Sequence, residues 1–417
     1  MAVPAVPGVG VPADGTSLQV AHLRIERARK MRAAALTAPL LLFLAVTFVY
    51  PIGALLFRAI HSPEVVEVLG RTAAALERWD ARALPGEETF AILAADLRAA
   101  RKSQTVGRAA KRLNYDKGGF RSLLLKTARR LPQSAPASYR DAFLAIDRRW
   151  GRTEYWAVIK RASAPYTGFF LLAALDLRQT DSGGIAPVPE HSAVFIDTLI
   201  RTFWISLVVT ALCLMMGYPI AHLLANTPAR VSSLLLILVL LPFWTSLLVR
   251  TTAWVVLLQT QGVVNDLALL LGLITERVQL IHNRIGVYVA MTHILLPFMV
   301  LPLYAVMKGI QPGYLRAARS LGAGPLFAFW KVYLPQTLPG IGAGALLVFV
   351  MALGYYITPA LVGGPRDQML SYFIAYYANQ TTNWSMAAAL SVVLLSLTVA
   401  VVAVFSRLIG FDKLKLG

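Results

Sequence analysis

The chemistry-bearing residues of this 417-residue chain gather in one polar segment, 313–335, and in a set of aromatic and basic side chains inside apolar runs. In the segment, residues 314–321 read as a short helix carrying Arg316, Ala317 and Ala318. Gly322 follows where a left-handed cap ends a helix. A second short helix is expected near 326–332, stopping before Leu334 and Pro335. Small alanines permit close approach of a partner, and the glycine permits a sharp turn. A helix–glycine–helix element of this kind has a mechanical use: it fits a groove on another protein. No nucleophile–base–acid set, metal-ligand cluster or Gly-x-x-x-x-Gly-Lys-[Ser/Thr] phosphate loop is present. The chain is therefore not expected to be an enzyme, to bind a metal or cofactor, or to hydrolyse ATP itself.

The second set comprises Trp244, Thr245, Ser246, Arg250 and Trp254 along one apolar run, His293 inside another, and Tyr355 and Tyr356 near the end of a third. Aromatic faces hold amines by cation–π attraction worth about 0.5–2 kcal/mol each. The same residues also suit an interfacial aromatic belt. Arg250 suits headgroup snorkelling or a contact with an anionic solute. His293 is costly in an apolar run unless hydrogen-bonded, so it bonds a neighbouring helix or lines a path. Both readings stand for each group. Gly340-x-x-x-Gly344 reads as a close-packing motif, with a gating hinge as the alternative.

The elements that position these residues follow from composition. The chain is 57% hydrophobic and 15% charged, against roughly half and a quarter in soluble domains. Apolar runs of about 20 residues meet the bilayer's demand that a segment satisfy its own backbone. Six are read: 33–57, 198–224, 231–258, 286–307, 338–360 and 386–409. The fold class is an all-α membrane protein with six transmembrane helices and a helical periplasmic insertion. The net charge of +19 fits cytoplasmic loops and anionic headgroups, and without zinc-finger spacing or base-stacking aromatics it excludes nucleic acid. A single cysteine, Cys213, excludes an intrachain disulfide.

Residues 1–32 read as a disordered basic cytoplasmic N-terminus, and the first apolar run as a retained helix rather than a cleaved signal. Alternation then puts Arg230, the loop 308–337 and the tail 410–417, with Lys413 and Lys415, on the cytoplasmic side. The long segment 58–197 falls outside. Within it, three stripes recur at helical spacing: Phe90, Leu93, Ala94 and Leu97; Phe120, Leu123, Leu124 and Leu131; Tyr139, Phe143, Ile146 and Trp150. They fit a small helical core, either a cap on the membrane region or a docking surface for a soluble protein. The apolar stretch 169–175 is too short to span and suits the interface. Residues 198–409 form a five-helix membrane core.

Ala317, Ala318, Gly322, Leu334 and Pro335 together resemble the coupling loop of permease subunits in type I ATP-binding-cassette importers, whose pattern begins Glu-Ala-Ala. Here Arg316 replaces the leading Glu. Three further stretches, 217–221, 241–254 and 358–365 followed by Asn383-Trp384, are similar to the polyamine branch of that family. The resemblance implies a bacterial inner-membrane importer subunit. It also implies cytoplasmic ATPase subunits, a second permease and a periplasmic solute-binding protein as partners. Putrescine or spermidine leads as the solute. 4-Aminobutyrate, opines, aminophosphonates and ferric iron are the alternatives, and an ion-coupled secondary transporter is the rival class. That rival lacks what it needs, acidic residues within the spans and internal repeats.

Overall fold

In the computed structural model, residues 15–180 and 184–409 are described. The chain divides into two units, Met1–Leu55 and Leu56–Gly417. The tail residues Lys413 and Lys415, and residues 1–14, lie outside the described residues.

The first unit is helical from Gly15 onward, through Gly15–Leu44 and Tyr50–Phe57. Residues 15–32, expected to be disordered, belong to this helix. Few helix breakers follow Gly15, and the basic stretch continues without interruption into the apolar run. The span Arg29–Phe57 buries none of its apolar window, as suits a helix whose surroundings are hydrocarbon. Between its two halves, Ala45–Val49 is a π turn in which the Tyr50 N–H reaches back to the Ala45 carbonyl. The reason is Pro51, which has no N–H and whose ring opposes the carbonyl four residues earlier. The wider turn absorbs that conflict.

The second unit holds four further helices long and apolar enough to cross a membrane: Phe195–Asn226, Arg284–Gly309, Pro325–Gly354 and Trp384–Arg407. Together with the first, five single helices meet that test among the described residues. The expected span 231–258 is instead a bent pair, Ala229–Trp244 and Leu247–Leu258, turning by 96°. The local sequence explains the break. Pro242 sits at the start of the turn Leu241–Trp244, and the Thr245 hydroxyl donates to its carbonyl at 2.8 Å. Ser246 then caps a new helix, its hydroxyl accepting from the Val249 N–H.

The expected span 338–360 is also shorter. Its helix ends at Gly354, and a separate short helix Ile357–Val362 follows. Pro359 could not continue the longer helix, because the Tyr355 carbonyl would lose its N–H partner. The Ser371 hydroxyl donates to that carbonyl instead, at 2.5 Å.

Phe195–Asn226, Arg284–Gly309 and Leu334–Gly354 pack as the central trio. A ladder of buried hydroxyls runs up the first of these. Thr198, Thr202, Ser206 and Thr210 each donate to the carbonyl four residues before, at 2.7–2.8 Å. Close packing is set by glycine. A Cβ on Gly344 would lie 2.8 Å from Met299 Sδ and 3.2 Å from its carbonyl, and one on Gly340 3.2 Å from the Pro302 carbonyl.

Within the second unit, residues 62–180 form a mainly helical body with a core cluster of its own, rich in aromatic rings. The stripes seen in the sequence lie on Glu87–Lys102, Phe120–Arg130 and Tyr139–Ile146. Their apolar members converge in one cluster with Trp150 and Trp156. Trp150 stands in a 3-10 turn, Arg148–Gly151, beyond the helix that carries Phe143. Its ring lies 5.3 Å from those of Phe143 and Trp156, and its indole N–H donates to the Thr127 hydroxyl at 2.8 Å. The helices Glu64–Val68, Gly70–Glu77, Val106–Asp116 and Thr153–Ala162 also belong to this body. The apolar stretch near 169 forms Phe169–Ala174 and packs on the last span.

Trp150→Ala should destabilise this body by about 3–5 kcal/mol, the range for truncating a buried aromatic. Limited proteolysis should then cut within residues 62–165 first, leaving the spans intact. Unchanged resistance there would contradict the packing.

Candidate functional site

Two arrangements carry the sequence-derived site residues, at opposite ends of the central trio. The first is the hairpin between Arg284–Gly309 and the next span. Pro312–Ser320 is its first helix, with Arg316, Ala317 and Ala318 on it. Gly322 follows in the left-handed region at φ +88°. The Ala323 N–H bonds the Ala318 carbonyl and the Gly322 N–H the Arg319 carbonyl, both at 3.0 Å. This paired closure needs a residue with positive φ at Gly322, where glycine alone is unstrained.

The second half departs from expectation. Pro325–Ala328 does not stop before Pro335 but runs through a π turn, Phe329–Tyr333, straight into Leu334–Gly354. Leu334 N–H reaches the Phe329 carbonyl, so Pro335 follows a π turn as Pro51 does. The hairpin is therefore continuous with the span behind it. Its outer surface is apolar and open: Leu321 is 88% exposed and Leu326 77%, with Phe327 and Trp330 also exposed. Arg316, Ala317 and Pro335 are exposed, whereas Ala318 and Leu334 are partly covered.

A polar cluster behind the hairpin was not picked out from the sequence. His222 Nδ1 lies 3.1 Å from the Tyr333 hydroxyl, and Tyr218 and Thr337 hydroxyls lie 3.3 Å apart. Phe329 stacks on Tyr333 at 5.8 Å and meets Tyr218 edge-on at 6.2 Å. Asn226 donates to the His222 carbonyl at 2.8 Å. These contacts tie the end of Phe195–Asn226 to the π turn. The contacts between the two segments join residues more than a hundred apart, so no local pattern announces them. The one signal was Gly217-Tyr218-Pro219, where a Cβ on Gly217 would press Met299 at 3.0 Å.

The second arrangement lies about 24 Å away along Arg284–Gly309, counting sixteen residues from His293 to Gly309 at a rise of about 1.5 Å each. The Trp254 indole N–H donates to His293 Nδ1 at 3.1 Å, the two rings 5.4 Å apart. As acceptor at Nδ1, the neutral ring carries its proton on Nε2. Arg250, one turn before Trp254, lies within electrostatic reach of His293 and Tyr355. Its Nε is buried and makes no hydrogen bond among the described residues. Tyr355 stands in the break between Gly354 and Ile357. Thr251 and Thr358 hydroxyls close the neighbouring contact at 3.1 Å. Of the expected residues, Trp254 and His293 bond directly, and Arg250 and Tyr355 stand near enough to feel one another's charge. The others do not join them. Trp244 is 75% exposed, Thr245 and Ser246 serve the helix break, and Tyr356 faces outward. Among the described residues there is no group of three or more His, Cys, Asp or Glu suited to a metal.

Residues 213–410 match the family described as binding-protein-dependent transport system inner membrane component. The spermidine/putrescine transport system permease protein PotB of Escherichia coli (strain K12) is 36% identical over 201 residues, 48% of this chain and 73% of that protein. The chain belongs to this importer permease family. PotB of Haemophilus influenzae is 33% identical over 224 residues, covering 53% of this chain and 78% of that one. The inner membrane ABC transporter permease protein YdcU of Escherichia coli (strain K12) is 34% identical over 234 residues, covering 52% of this chain and 73% of that one. Among solved structures, a bacterial ABC transporter involved in import of the acidic polysaccharide alginate matches at TM-score 0.43 and 19% identity. That match covers 53% of this chain and 80% of that one. The chain is thus a multi-pass inner-membrane permease subunit of the ABC importer class. The matched family region begins after the helical body of residues 62–180.

Trp254→Phe keeps the ring but removes the donor to His293 Nδ1. It should lower stability by about 0.5–1.5 kcal/mol, the net worth of one partly buried hydrogen bond. A drop in the melting temperature of the purified protein in detergent checks this; an unchanged value would mean His293 is satisfied otherwise.

Proposed function

We propose that this permease imports a polyamine of the putrescine or spermidine type, delivered by a periplasmic binding protein and driven by cytoplasmic ATPase subunits. The observation that carries the mechanism is the hairpin 312–333. Its exposed apolar tip suits a groove on an ATPase, and its second helix is continuous with a span. Motion imposed at the tip then reaches Pro325–Gly354 without a flexible joint. Arg316, Ala317, Ala318 and Gly322 form the docking face and its turn, with Leu334 and Pro335 at the root of the span. A second permease subunit completes the pathway, with both termini and the hairpin cytoplasmic. Arg316 supplies a positive charge where relatives of the coupling-loop pattern carry a carboxylate, so the ATPase groove facing it is expected to be acidic.

The solute assignment is supported by likeness to permeases named for spermidine and putrescine. In the pathway, Trp254 and Tyr355 offer aromatic faces for an amine at about 0.5–2 kcal/mol each. One observation favours a second reading. Arg250 presents a buried, unpaired Nε beside those rings, which suits an anionic or zwitterionic solute.

Reconstitution with the second permease, ATPase and binding protein separates these readings. Putrescine or spermidine should stimulate ATP hydrolysis; stimulation by anionic solutes alone would transfer the assignment to the Arg250 reading. Gly322→Asp should abolish uptake while leaving membrane insertion intact. No side chain crowds this site, so the defect would come from the turn and the added charge. Normal uptake by that variant would refute the hairpin's role.

A further inference from the structure

The helical body of residues 62–180 meets the start of the last span in a cavity of about 280 Å³. Its lining is unbalanced in charge. Arg58, Arg108, Lys111 and Arg112 face a single carboxylate, Glu64. Part of that excess is already engaged. Arg108 pairs with Glu67 at 2.8 Å, and Lys111 donates to the Thr382 hydroxyl at 2.5 Å.

Arg112 is different. It is 3% exposed, and its Nε donates to the Ser62 hydroxyl at 2.9 Å. Ser62 in turn donates to Glu64 at 2.7 Å. The guanidinium lies over Phe169 and Phe170, 4.6 and 4.8 Å from the ring centres. Its Nη1 is buried with no hydrogen-bond partner, and so is the Tyr115 hydroxyl on the same helix. No described carboxylate forms an ion pair with it. Burial lowers its pKa, outweighing the opposing pull of the Asp116 and Glu64 carboxylates, neither of which bonds it directly.

A buried guanidinium is retained at high cost unless something pairs with it. Two unmet donors beside a net positive lining call for an occupant rich in acceptors and negatively charged. A water could meet Tyr115 but carries no charge to balance the net positive lining. The location narrows the source. Trp384 lines the cavity and opens the last span, and tryptophan at a span's end marks headgroup depth. We propose that Arg112 and Tyr115 hold a phosphate-class anion in this seam. The phosphodiester of a membrane phospholipid is the source at hand, and free phosphate is the alternative. Such an anion would pin the helical body, which the matched family region does not include, onto the last span.

The test uses the full chain purified in detergent, titrated with phosphatidylglycerol, with diacylglycerol lacking the phosphate, and with inorganic phosphate. Binding is followed by native mass spectrometry and by the melting temperature. Phosphatidylglycerol should bind and stabilise the wild type, and Tyr115→Phe should weaken that binding on the order of tenfold, as expected for a hydrogen bond to a charged group. Arg112→Gln should weaken it further. Tyr115→Phe removes only an unpartnered oxygen, so without lipid it should melt no lower than wild type, which keeps the test valid if Arg112→Gln fails to fold. Variant-sensitive binding of inorganic phosphate instead would assign the site to the free anion. Equal binding by wild type and both variants, binding of diacylglycerol as strong as phosphatidylglycerol, or no binding at all would overturn the proposal.

Discussion

Every peptide group in a membrane-crossing segment must find its hydrogen-bond partner inside the protein, because hydrocarbon offers none. Prolines break that condition repeatedly: Pro39, Pro219, Pro297, Pro302 and Pro339 lie inside regular helices, and four others stand where the regular helix gives way. Pro51 and Pro335 each follow a π turn whose wider loop carries the backbone past the missing donor. Pro242 sits in a 3-10 turn whose carbonyl takes the Thr245 hydroxyl, with Ser246 capping the helix beyond. Pro359 begins a new helix, and Ser371 takes over the carbonyl left behind. At Pro242 and Pro359 the chain breaks into a new helix, whereas at Pro51 and Pro335 it runs on through the π turn; these sites hold residues proposed for function. The hairpin joins its span through one of them, and Tyr355 stands at another.

Between the hairpin and the Arg250 cluster the structure is tightly packed. Gly344 and Gly217 both press on Met299, so Arg284–Gly309 has little freedom to slide against its neighbours. A load at the hairpin would therefore pass to the trio as movement of whole helices. The His222–Tyr333 and Tyr218–Thr337 contacts fix the near end of that lever. At the far end, Trp254 bonds His293 across two helices, while Arg250 retains an unused donor.

Much of this was legible in the sequence, for reasons that are local. Gly322 declared its left-handed turn because two short helix patterns flank it. The three apolar stripes of residues 62–180 declared a core because helical spacing puts their members on one face. What was misread also has local causes. Hydropathy alone joined 231–258 and 338–360 into single spans, although Pro242 with Ser246, and Gly354 with Pro359, carry the signals for breaks. Pro335 was taken as a stop, whereas a π turn lets the helix pass. The cluster around His222 and Tyr333, and the donors Arg112 and Tyr115, depend on pairings between distant segments, and no periodicity reports those.

The central claim is that the hairpin tip engages a cytoplasmic ATPase. The most direct measurement places a cysteine at Leu321, using the chain's own Cys213 as a silent background because it is buried. In membranes containing the assembled transporter, a short bifunctional reagent should link Leu321→Cys to the ATPase subunit, and ATP should change the yield. Labelling of that cysteine from the periplasmic face in intact cells, with no cross-link, would contradict the account.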